Sequence, residues 1–179
     1  MNQIIMPSTL AGRVRELATE ISETMSKSVR LLSPGDIDPV IVIGILSGGA
    51  IFTADLIRLL DTPTVLAWAT AQSYKGIKKE LLGPPRVDLI VDWNSGFTDR
   101  RILIVDDIVE TRLTMLAVVE HVARFDPRSI QTVALLRKPC FDPQIEVDYV
   151  GFDVSNDFVV GYGLDYDGLY RDLPGIWVL

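Results

Sequence analysis

The segment Ile102–Thr114, with the sequence ILIVDDIVETRLT, determines the fold that we expect for this chain. Its first four residues are aliphatic, which predicts a short strand buried on both faces, as in a parallel sheet. Residues 115–123 then predict a helix. Asp106 and Asp107 follow the strand, where open parallel sheets bind ligands, and the amides of residues 111–114 lie at a helix N-terminus that suits phosphate. The segment therefore predicts a ligand that carries hydroxyl groups and a phosphate.

A simpler interpretation of the same segment needs no ligand. An Asp-Asp pair after a strand can be ordinary turn chemistry, and Thr111 or Thr114 can be an ordinary helix cap. From the acidic pair alone, both interpretations stay open.

The composition restricts the class of protein. A chain of 179 residues, of which 48% are hydrophobic, is long enough for one sizeable core and too short for two comfortable domains. A formal net charge of −7 argues against a surface for nucleic acid or for an anionic membrane, so a small-molecule substrate is expected. The high apolar content indicates either a well-filled interior or buried contacts between subunits, and we expect a homo-oligomer.

Processing and redox features favour the cytoplasm. The N-terminal residues lack a basic start followed by a long apolar core, so they do not form a secretory signal. No apolar run reaches the roughly 20 residues that a membrane helix needs. The single cysteine, Cys140, cannot form an internal disulfide and provides no zinc site. We therefore expect a cytoplasmic protein that does not bind membranes.

Apolar spacing predicts alternating helices and strands. Apolar residues recur at intervals of three and four in residues 10–25, which predicts an amphipathic first helix capped by Ser8 or Thr9. The alternation that follows predicts right-handed βαβ units and a parallel sheet. The polar segment 71–86 is long enough to predict a functional or disordered loop. The predicted strands are 38–46, 64–70, 87–93, 102–105, 129–136 and 149–152, with a second helix at 50–60.

The C-terminal segment Asp157–Pro174, with the sequence DFVVGYGLDYDGLYRDLP, is the second informative stretch. It resembles the base-binding end of the hypoxanthine-guanine phosphoribosyltransferases, where FVVGY, LDY and YRDL are characteristic. Segment 102–114 resembles the phosphoribosyl pyrophosphate motif of the type I phosphoribosyltransferases. The motifs Leu46-x-Gly-Gly, Ser73-Tyr74 and Leu136-Arg-Lys-Pro139 extend the resemblance from about residue 40 to the end. The chain is identified as a member of this family.

The resemblance implies both a fold and an activity. The implied fold is a type I phosphoribosyltransferase fold of the α/β class, a mainly parallel twisted sheet flanked by helices, with a small hood built from the chain ends. Residues 1–179 would form a single domain, with the core sheet in about 38–140 and the hood in about 1–15 and 150–179. The implied activity is magnesium-dependent purine salvage, from hypoxanthine or guanine and phosphoribosyl pyrophosphate to IMP or GMP and pyrophosphate. The family forms dimers and tetramers.

The purine side of the implied site has a physical rationale. A 6-oxopurine has two flat faces, a carbonyl oxygen and an N7 acceptor, so it needs a stacking group and a cationic donor. The resemblance gives these roles to Phe158 and Lys138 and implies selection against adenine. It adds Val159 and Asp165 to the purine residues. Taken alone, Phe158 is more simply a core residue, Lys138 a solvated strand end and Asp165 a turn-capping residue.

The phosphoribosyl side must stabilise positive charge that develops on the ribose, and carboxylates do so by electrostatic preorganisation. The resemblance assigns Asp106 and Asp107 to the ribose hydroxyls and, with Asp165, to Mg²⁺, which keeps waters and phosphate oxygens among its ligands. The other implied residues for the ribose and the 5′-phosphate are Ile108, Val109, Thr111, Arg112, Leu113 and Thr114.

The pyrophosphate group is the third part of the implied substrate. The resemblance assigns it to Ser47, Gly48 and Arg171, because a glycine lets backbone amides approach and a guanidinium fork suits phosphate oxygens. The resemblance also makes Ser73 and Tyr74 the head of a mobile loop that closes over the reaction and excludes water.

Three residues depart from the family pattern. Glu110 stands where an aspartate is the proposed general base near purine N7, Arg112 stands for a glycine, and Ser47 for a lysine. A displacement of about 1 Å can cost about 10²-fold in rate, and the side chain of Arg112 can either obstruct the 5′-phosphate or contact it. These changes keep an alternative open, a catalytically weak or inactive nucleotide-binding paralogue with a regulatory or partner-subunit role.

Overall fold

The computed structural model describes residues 1–27, 38–72, 85–91, 96–110, 113–139 and 146–179. In these ranges the helices are α1 (Pro7–Lys27), α2 (Ala50–Ile57) and α3 (Leu113–Ala123). The strands are β1 (Asn2–Ile5), β2 (Val40–Leu46), β3 (Thr64–Gln72), β4 (Arg86–Ile90), β5 (Arg101–Val109), β6 (Ser129–Arg137), β7 (Tyr149–Asp153), β8 (Val159–Val160) and β9 (Ile176–Val178).

The larger sheet has six strands in the order β4-β3-β2-β5-β6-β7. All neighbours from β3 to β7 pair in parallel, whereas β4 pairs antiparallel with β3 at one edge. A parallel partner there would need a crossover connection, usually a helix, and segment 71–86 has no helical apolar pattern. The predicted α/β class and mainly parallel sheet are confirmed, with β4 as the antiparallel strand at one edge.

Two apolar layers cover the two faces of this sheet, because successive side chains of a strand point to opposite faces. One layer joins β2 and β5 to α1 and α2, and it contains Val40, Val42, Leu103 and Val105. The other joins the same strands to α3, and it contains Ile41, Ile43, Ile102 and Ile104. Burying each aliphatic side chain contributes roughly 1.5–3 kcal/mol to the stability of the fold. Strands β2 and β5 therefore form a rigid support for the residues at their ends.

Strand β5 is longer than the sequence indicated. The prediction ended it at Val105, but it continues to Val109 and pairs with β6 as far as Arg137. Asp106 and Asp107 therefore lie within the strand and not in a turn after it. Aspartate has a low strand propensity, but the backbone ladder to β6 overrides that preference.

The chain ends form a second, three-stranded antiparallel sheet in the order β1-β9-β8. Val178 in the middle strand pairs with Asn2 on one side and with Val159 on the other. The predicted division of one domain into a core and a hood stays a prediction, and residues 7–15 lie in α1. Helix α1 begins at Pro7, one residue before the predicted cap, where the missing N–H of proline is tolerated.

Candidate active site

A cleft lies at the carboxyl ends of β2, β5 and β6. It consists of two cavities, of about 330 Å³ and about 300 Å³. Both cavities are lined by Gly48, Asp107, Ile108 and Glu110, so they form two halves of one continuous space. The first half contains Asp106 and Thr114. The second half contains Ser47, Lys138, Phe158, Val159, Asp165 and Arg171.

Asp106 and Asp107 are neighbouring carboxylates at the centre of the cleft. Asp106 is only 5% exposed, and its Oδ1 accepts the amide of Asp107 at 3.0 Å. The amide of Ile108 donates to Asp107 Oδ1 at 3.0 Å. Burial, together with the neighbouring charge of Asp107, raises the pKa of Asp106 well above its ordinary value. Burial also raises the pKa of Asp107, so the free protein holds an electrostatically costly pair.

Replacing Asp106 by asparagine is expected to raise the free energy of unfolding by about 1 kcal/mol at pH 8, because the variant removes a buried like charge and keeps the acceptor Oδ1. The folded-state pKa lies above the unfolded value, so the cost is fully present above the folded pKa. It disappears as the pH falls through that pKa. Urea unfolding at pH 8 and pH 4.5 would measure this difference.

The control for this prediction is Asp153→Asn, which removes an exposed carboxylate. The pKa of Asp153 is lowered by its hydrogen bonds from Arg137, so this group stabilises the fold above its unfolded pKa. Its replacement should give no stabilisation at pH 8. A loss of stability in Asp106→Asn at pH 8 would contradict the prediction.

Gly48 lies directly against Asp107. A Cβ atom at position 48 would be 1.8 Å from Asp107 Oδ2, so only glycine lets the loop approach the carboxylate this closely. The preceding peptide bond, Leu46–Ser47, is cis. The loop between β2 and α2 therefore brings the backbone of residues 47 and 48 to the carboxylate pair.

Lys138 and Glu110 form an ion pair across the cleft. The lysine Nζ lies 3.1 Å from Glu110 Oε1, with the lysine side chain 7% exposed and the glutamate side chain 61% exposed. The lysine amide donates to the carbonyl of Val109 at 3.0 Å, which fixes the start of the lysine at the end of β6. Phe158 is half exposed and meets Tyr166 edge to face, with 5.6 Å between ring centroids. A cation, a carboxylate and an exposed ring face thus lie in one half of the cleft.

Arg171 and Asp165 close the far side of this half. Arg171 Nη2 lies 2.7 Å from Asp165 Oδ1, and Arg171 Nη1 donates to the carbonyl of Gly163. Asp165 Oδ2 accepts the amide of Gly168 at 2.7 Å. The guanidinium is therefore oriented by two acceptors while it lines the same cavity as Ser47 and Gly48.

Comparisons with known proteins agree with this geometry. Residues 10–167 match the family model of the phosphoribosyl transferase domain. The hypoxanthine-guanine phosphoribosyltransferase of Mycobacterium bovis is 36% identical over 170 residues, which cover 94% of this chain and 83% of that protein. The enzyme of the same name from Staphylococcus aureus is 39% identical over 142 residues, which cover 79% of this chain and 78% of that protein.

A solved structure gives the same result in three dimensions. It is a hypoxanthine phosphoribosyl transferase of Trypanosoma cruzi, from work on the role of its C-terminal region in oligomeric state and enzymatic activity. Its TM-score is 0.85 at 32% identity, and the match covers 99% of this chain and 90% of that chain. The chain belongs to the hypoxanthine-guanine phosphoribosyltransferase family. The predicted type I phosphoribosyltransferase fold is thereby confirmed.

Most of the residues that the family resemblance implied lie in the cleft. The structure brings together Ser47, Gly48, Asp106, Asp107, Ile108, Val109, Glu110, Thr114, Lys138, Phe158, Val159, Asp165 and Arg171. Leu113 begins α3 and does not line either cavity. The predicted residues Ser73, Tyr74, Thr111 and Arg112 lie outside the described residues.

Sequence reasoning missed several apolar residues of this hypoxanthine-guanine phosphoribosyltransferase cleft. Ile45, Leu46, Ala71 and Met115 line the first half, and Leu164 lines the second. Leu46 and Ala71 lie at the carboxyl ends of β2 and β3, so the rule that ligands bind beyond those strand ends could have found them. Met115 had no such signal, because it lies within the first turn of α3 and not at a strand end.

Proposed function

We propose that this protein is a magnesium-dependent purine-salvage phosphoribosyltransferase that converts hypoxanthine or guanine and phosphoribosyl pyrophosphate to IMP or GMP and pyrophosphate. The observation that carries the proposal is the position of the Asp106–Asp107 pair. Asp107 lies against Gly48 and lines both halves of the cleft, as does Glu110, which pairs with Lys138. The names of the related enzymes support the same substrates.

The carboxylate pair suits the bond that breaks. Purine N9 attacks ribose C1′, and the bond from C1′ to the pyrophosphate oxygen breaks with its electron pair on the leaving group. Positive charge develops on the ribose during this step, and preorganised carboxylates stabilise it. Asp106 and Asp107 can also accept hydrogen bonds from the 2′- and 3′-hydroxyls, while Gly48 and Arg171 bind the pyrophosphate.

The base half of the cleft would bind and deprotonate the purine. Phe158 offers an exposed ring face for stacking, and Lys138 donates to the carbonyl O6. Glu110 is the carboxylate beside that lysine, at 3.1 Å, and it would accept the proton from N7 as the N9–C1′ bond forms. The amino group of adenine offers no acceptor at C6, so the lysine selects for 6-oxopurines.

The residues present fit a magnesium ion that arrives with its substrate. Among the described residues no group of three or more His, Cys, Asp or Glu side chains could hold a metal. Mg²⁺ commonly binds through one or two carboxylates plus phosphates and waters. Asp106 and Asp107 could supply those carboxylates, and the bound ion would neutralise charge on the pyrophosphate. Asp165 is a third proposed ligand, and it is oriented by its contact with Arg171.

A coupled assay tests the function directly. Hypoxanthine, guanine, xanthine and adenine would each be mixed with phosphoribosyl pyrophosphate, with Mg²⁺ and with a chelator. We expect nucleotide from hypoxanthine or guanine with Mg²⁺ only, and no product from adenine. No product from any base with Mg²⁺ present would reject the proposed reaction and would favour the alternative of an inactive nucleotide-binding paralogue.

Replacing Phe158 by alanine is expected to raise the KM for the base about 10-fold, because stacking of an aromatic side chain on a base contributes roughly 1–3 kcal/mol. The KM for phosphoribosyl pyrophosphate should change less than about 2-fold. Steady-state kinetics with each substrate varied in turn would measure both constants. Phe125→Ala is a matched control, because that ring is 40% exposed, packs beside Phe97 and precedes the start of β6, whereas the cleft lies at the carboxyl ends of the strands. Equal effects of the two variants would contradict a stacking role.

The assembly and the location of the protein are further proposals. A homodimer or homotetramer is consistent with the exposed apolar residues Ile90 and Val91 at the β4 edge, and light scattering at working concentration would test it. Of the helices in the described ranges, none combines the length and the apolarity of a membrane span. The absence of nucleic-acid and membrane partners and the cytoplasmic location stay predictions from the sequence, as does closure of a loop headed by Ser73 and Tyr74.

A further inference from the structure

A hydrogen bond between Tyr162 and Asp55 joins the C-terminal segment 157–174 to helix α2. The Tyr162 hydroxyl donates to Asp55 Oδ2 at 2.6 Å, and Tyr162 is buried, with 8% of its surface exposed. Burial, reinforced by the Asp55 carboxylate, raises the pKa of Tyr162, so the phenol stays a hydrogen-bond donor at neutral pH. Helix α2 begins directly after Gly49, so Asp55 is fixed relative to the glycine loop.

The backbone of the C-terminal segment has an unusual conformation at Tyr162. Tyr162 has a φ of +51°, which residues with a side chain seldom adopt. Its amide donates to the carbonyl of Leu173 at 2.7 Å, and the amide of Gly163 donates to the carbonyl of Arg171 at 3.0 Å. Such a conformation persists only where its surroundings determine it, and the bond to Asp55 is one of those determinants.

Gly163, the next residue, lies against the glycine loop. A Cβ on Gly163 would be 2.2 Å from the carbonyl oxygen of Gly48, and its own carbonyl accepts from Arg171. Gly163 therefore contacts the backbone of Gly48 and orients the guanidinium of Arg171, and both residues are proposed to bind pyrophosphate. A shift of the Tyr162 turn would move both groups together, whereas Lys138 is held separately, by the hydrogen bond of its amide to Val109 at the end of β6.

We propose that Tyr162 and Asp55 are positioning residues for the proposed pyrophosphate site, acting through Gly163 on Gly48 and Arg171. The proposal rests on the proposed function, because it takes pyrophosphate as the ligand of Gly48 and Arg171. It assigns neither residue a contact with substrate.

The test compares two ligands on matched tyrosine variants. Tyr162→Phe removes one hydroxyl and keeps the buried ring, and we expect it to weaken the binding of magnesium pyrophosphate about 10-fold by calorimetry. The KM for phosphoribosyl pyrophosphate should rise by a similar factor, with GMP affinity and kcat within about 2-fold of wild type. Tyr149→Phe is the control, since its hydroxyl accepts from Gln131 at 3.0 Å away from the cleft, and it should change none of these values.

Substitutions at Asp55 separate positioning from simple destabilisation. Asp55→Asn keeps an oxygen that can accept from Tyr162 and should bind magnesium pyrophosphate within about 2-fold of wild type. Asp55→Ala should match Tyr162→Phe, and the double variant should be no weaker than either single variant, because both remove the same bond. The ion pair of Asp55 with Arg58 is exposed, so its loss should contribute little.

The possible outcomes test the positioning role and the proposed enzyme activity separately. The positioning role is overturned if Tyr162→Phe binds magnesium pyrophosphate like Tyr149→Phe, or if GMP affinity falls by the same factor as pyrophosphate affinity. A wild-type protein that binds magnesium pyrophosphate but converts no base contradicts the proposed enzyme and leaves the positioning role testable by calorimetry alone. A wild-type protein that binds no pyrophosphate overturns both.

Discussion

Asp107→Asn is expected to lower kcat by about 10²- to 10³-fold, with the affinity for GMP changed less than about 10-fold. Asp107 lines both halves of the cleft and lies against Gly48, so its charge acts where the ribose and the leaving group separate. Asparagine keeps the oxygen that accepts from the Ile108 amide and removes the charge alone. The loss should therefore appear in the chemical step, measured by steady-state kinetics with GMP calorimetry alongside.

The pH profile adds an independent test of this role. The pKa values of Asp106 and Asp107 are raised, chiefly by burial, and kcat/KM reports the free enzyme. As the pH falls, the pair should take up a proton at a higher pH than an ordinary aspartate, whose pKa is about 3.9, so wild-type kcat/KM should fall there. Asp153→Asn serves as the control and should keep the wild-type profile. An Asp107→Asn variant with more than a tenth of the wild-type kcat would argue against electrostatic stabilisation by this residue.

The second large effect is expected at Lys138. Lys138→Met should lower kcat/KM for hypoxanthine and guanine by about 10²- to 10³-fold, because the variant leaves the purine O6 without a donor in a buried site. Lys138→Arg keeps the charge on a differently shaped group and should give an intermediate loss. Arg137→Gln is the control, since that arginine is paired with Asp153 outside the cleft, and it should retain activity within about 2-fold.

A double-variant cycle would show whether the pair with Glu110 works as a unit. Lys138 Nζ lies 3.1 Å from Glu110 Oε1. Residues that share one network are not additive, so Lys138→Met with Glu110→Gln should lose less than the product of the two single losses. Full additivity would place the two side chains in separate steps. Lys138→Met activity above a fifth of wild type would contradict base recognition by the lysine.

Much of the cleft could be predicted because its residues lie at strand ends. Asp106, Asp107 and Lys138 follow aliphatic runs that can only be buried strands, and the carboxyl ends of parallel strands meet at one edge of a sheet. The pairing of Lys138 with Glu110 could not be predicted in this way. It depends on the register that sets Val109 opposite Arg137, and register is a property of the assembled sheet.

Contacts between distant parts of the chain also could not be predicted from the sequence. Arg101 lies just before the predicted strand 102–105, but it is 1% exposed at the start of β5. Its guanidinium donates to the carbonyl of Met25 at 2.6 Å and pairs with Asp38 at 3.4 Å. A buried charge needs partners, and local sequence patterns do not predict partners that are distant in the chain. The hydrogen bond from Tyr162 to Asp55 could not be predicted for the same reason.

The place of β9 between β1 and β8 has a consequence for the order in which the site is built during synthesis. Domains fold as the chain emerges from its N-terminus, and strands β2, β5 and β6 are all complete once residue 137 has been made. Val159, which lines the purine side of the cleft, is paired through Val178 to Asn2. The strands that carry the carboxylate pair are therefore synthesised first, whereas the purine side cannot be completed until residue 178 has been made.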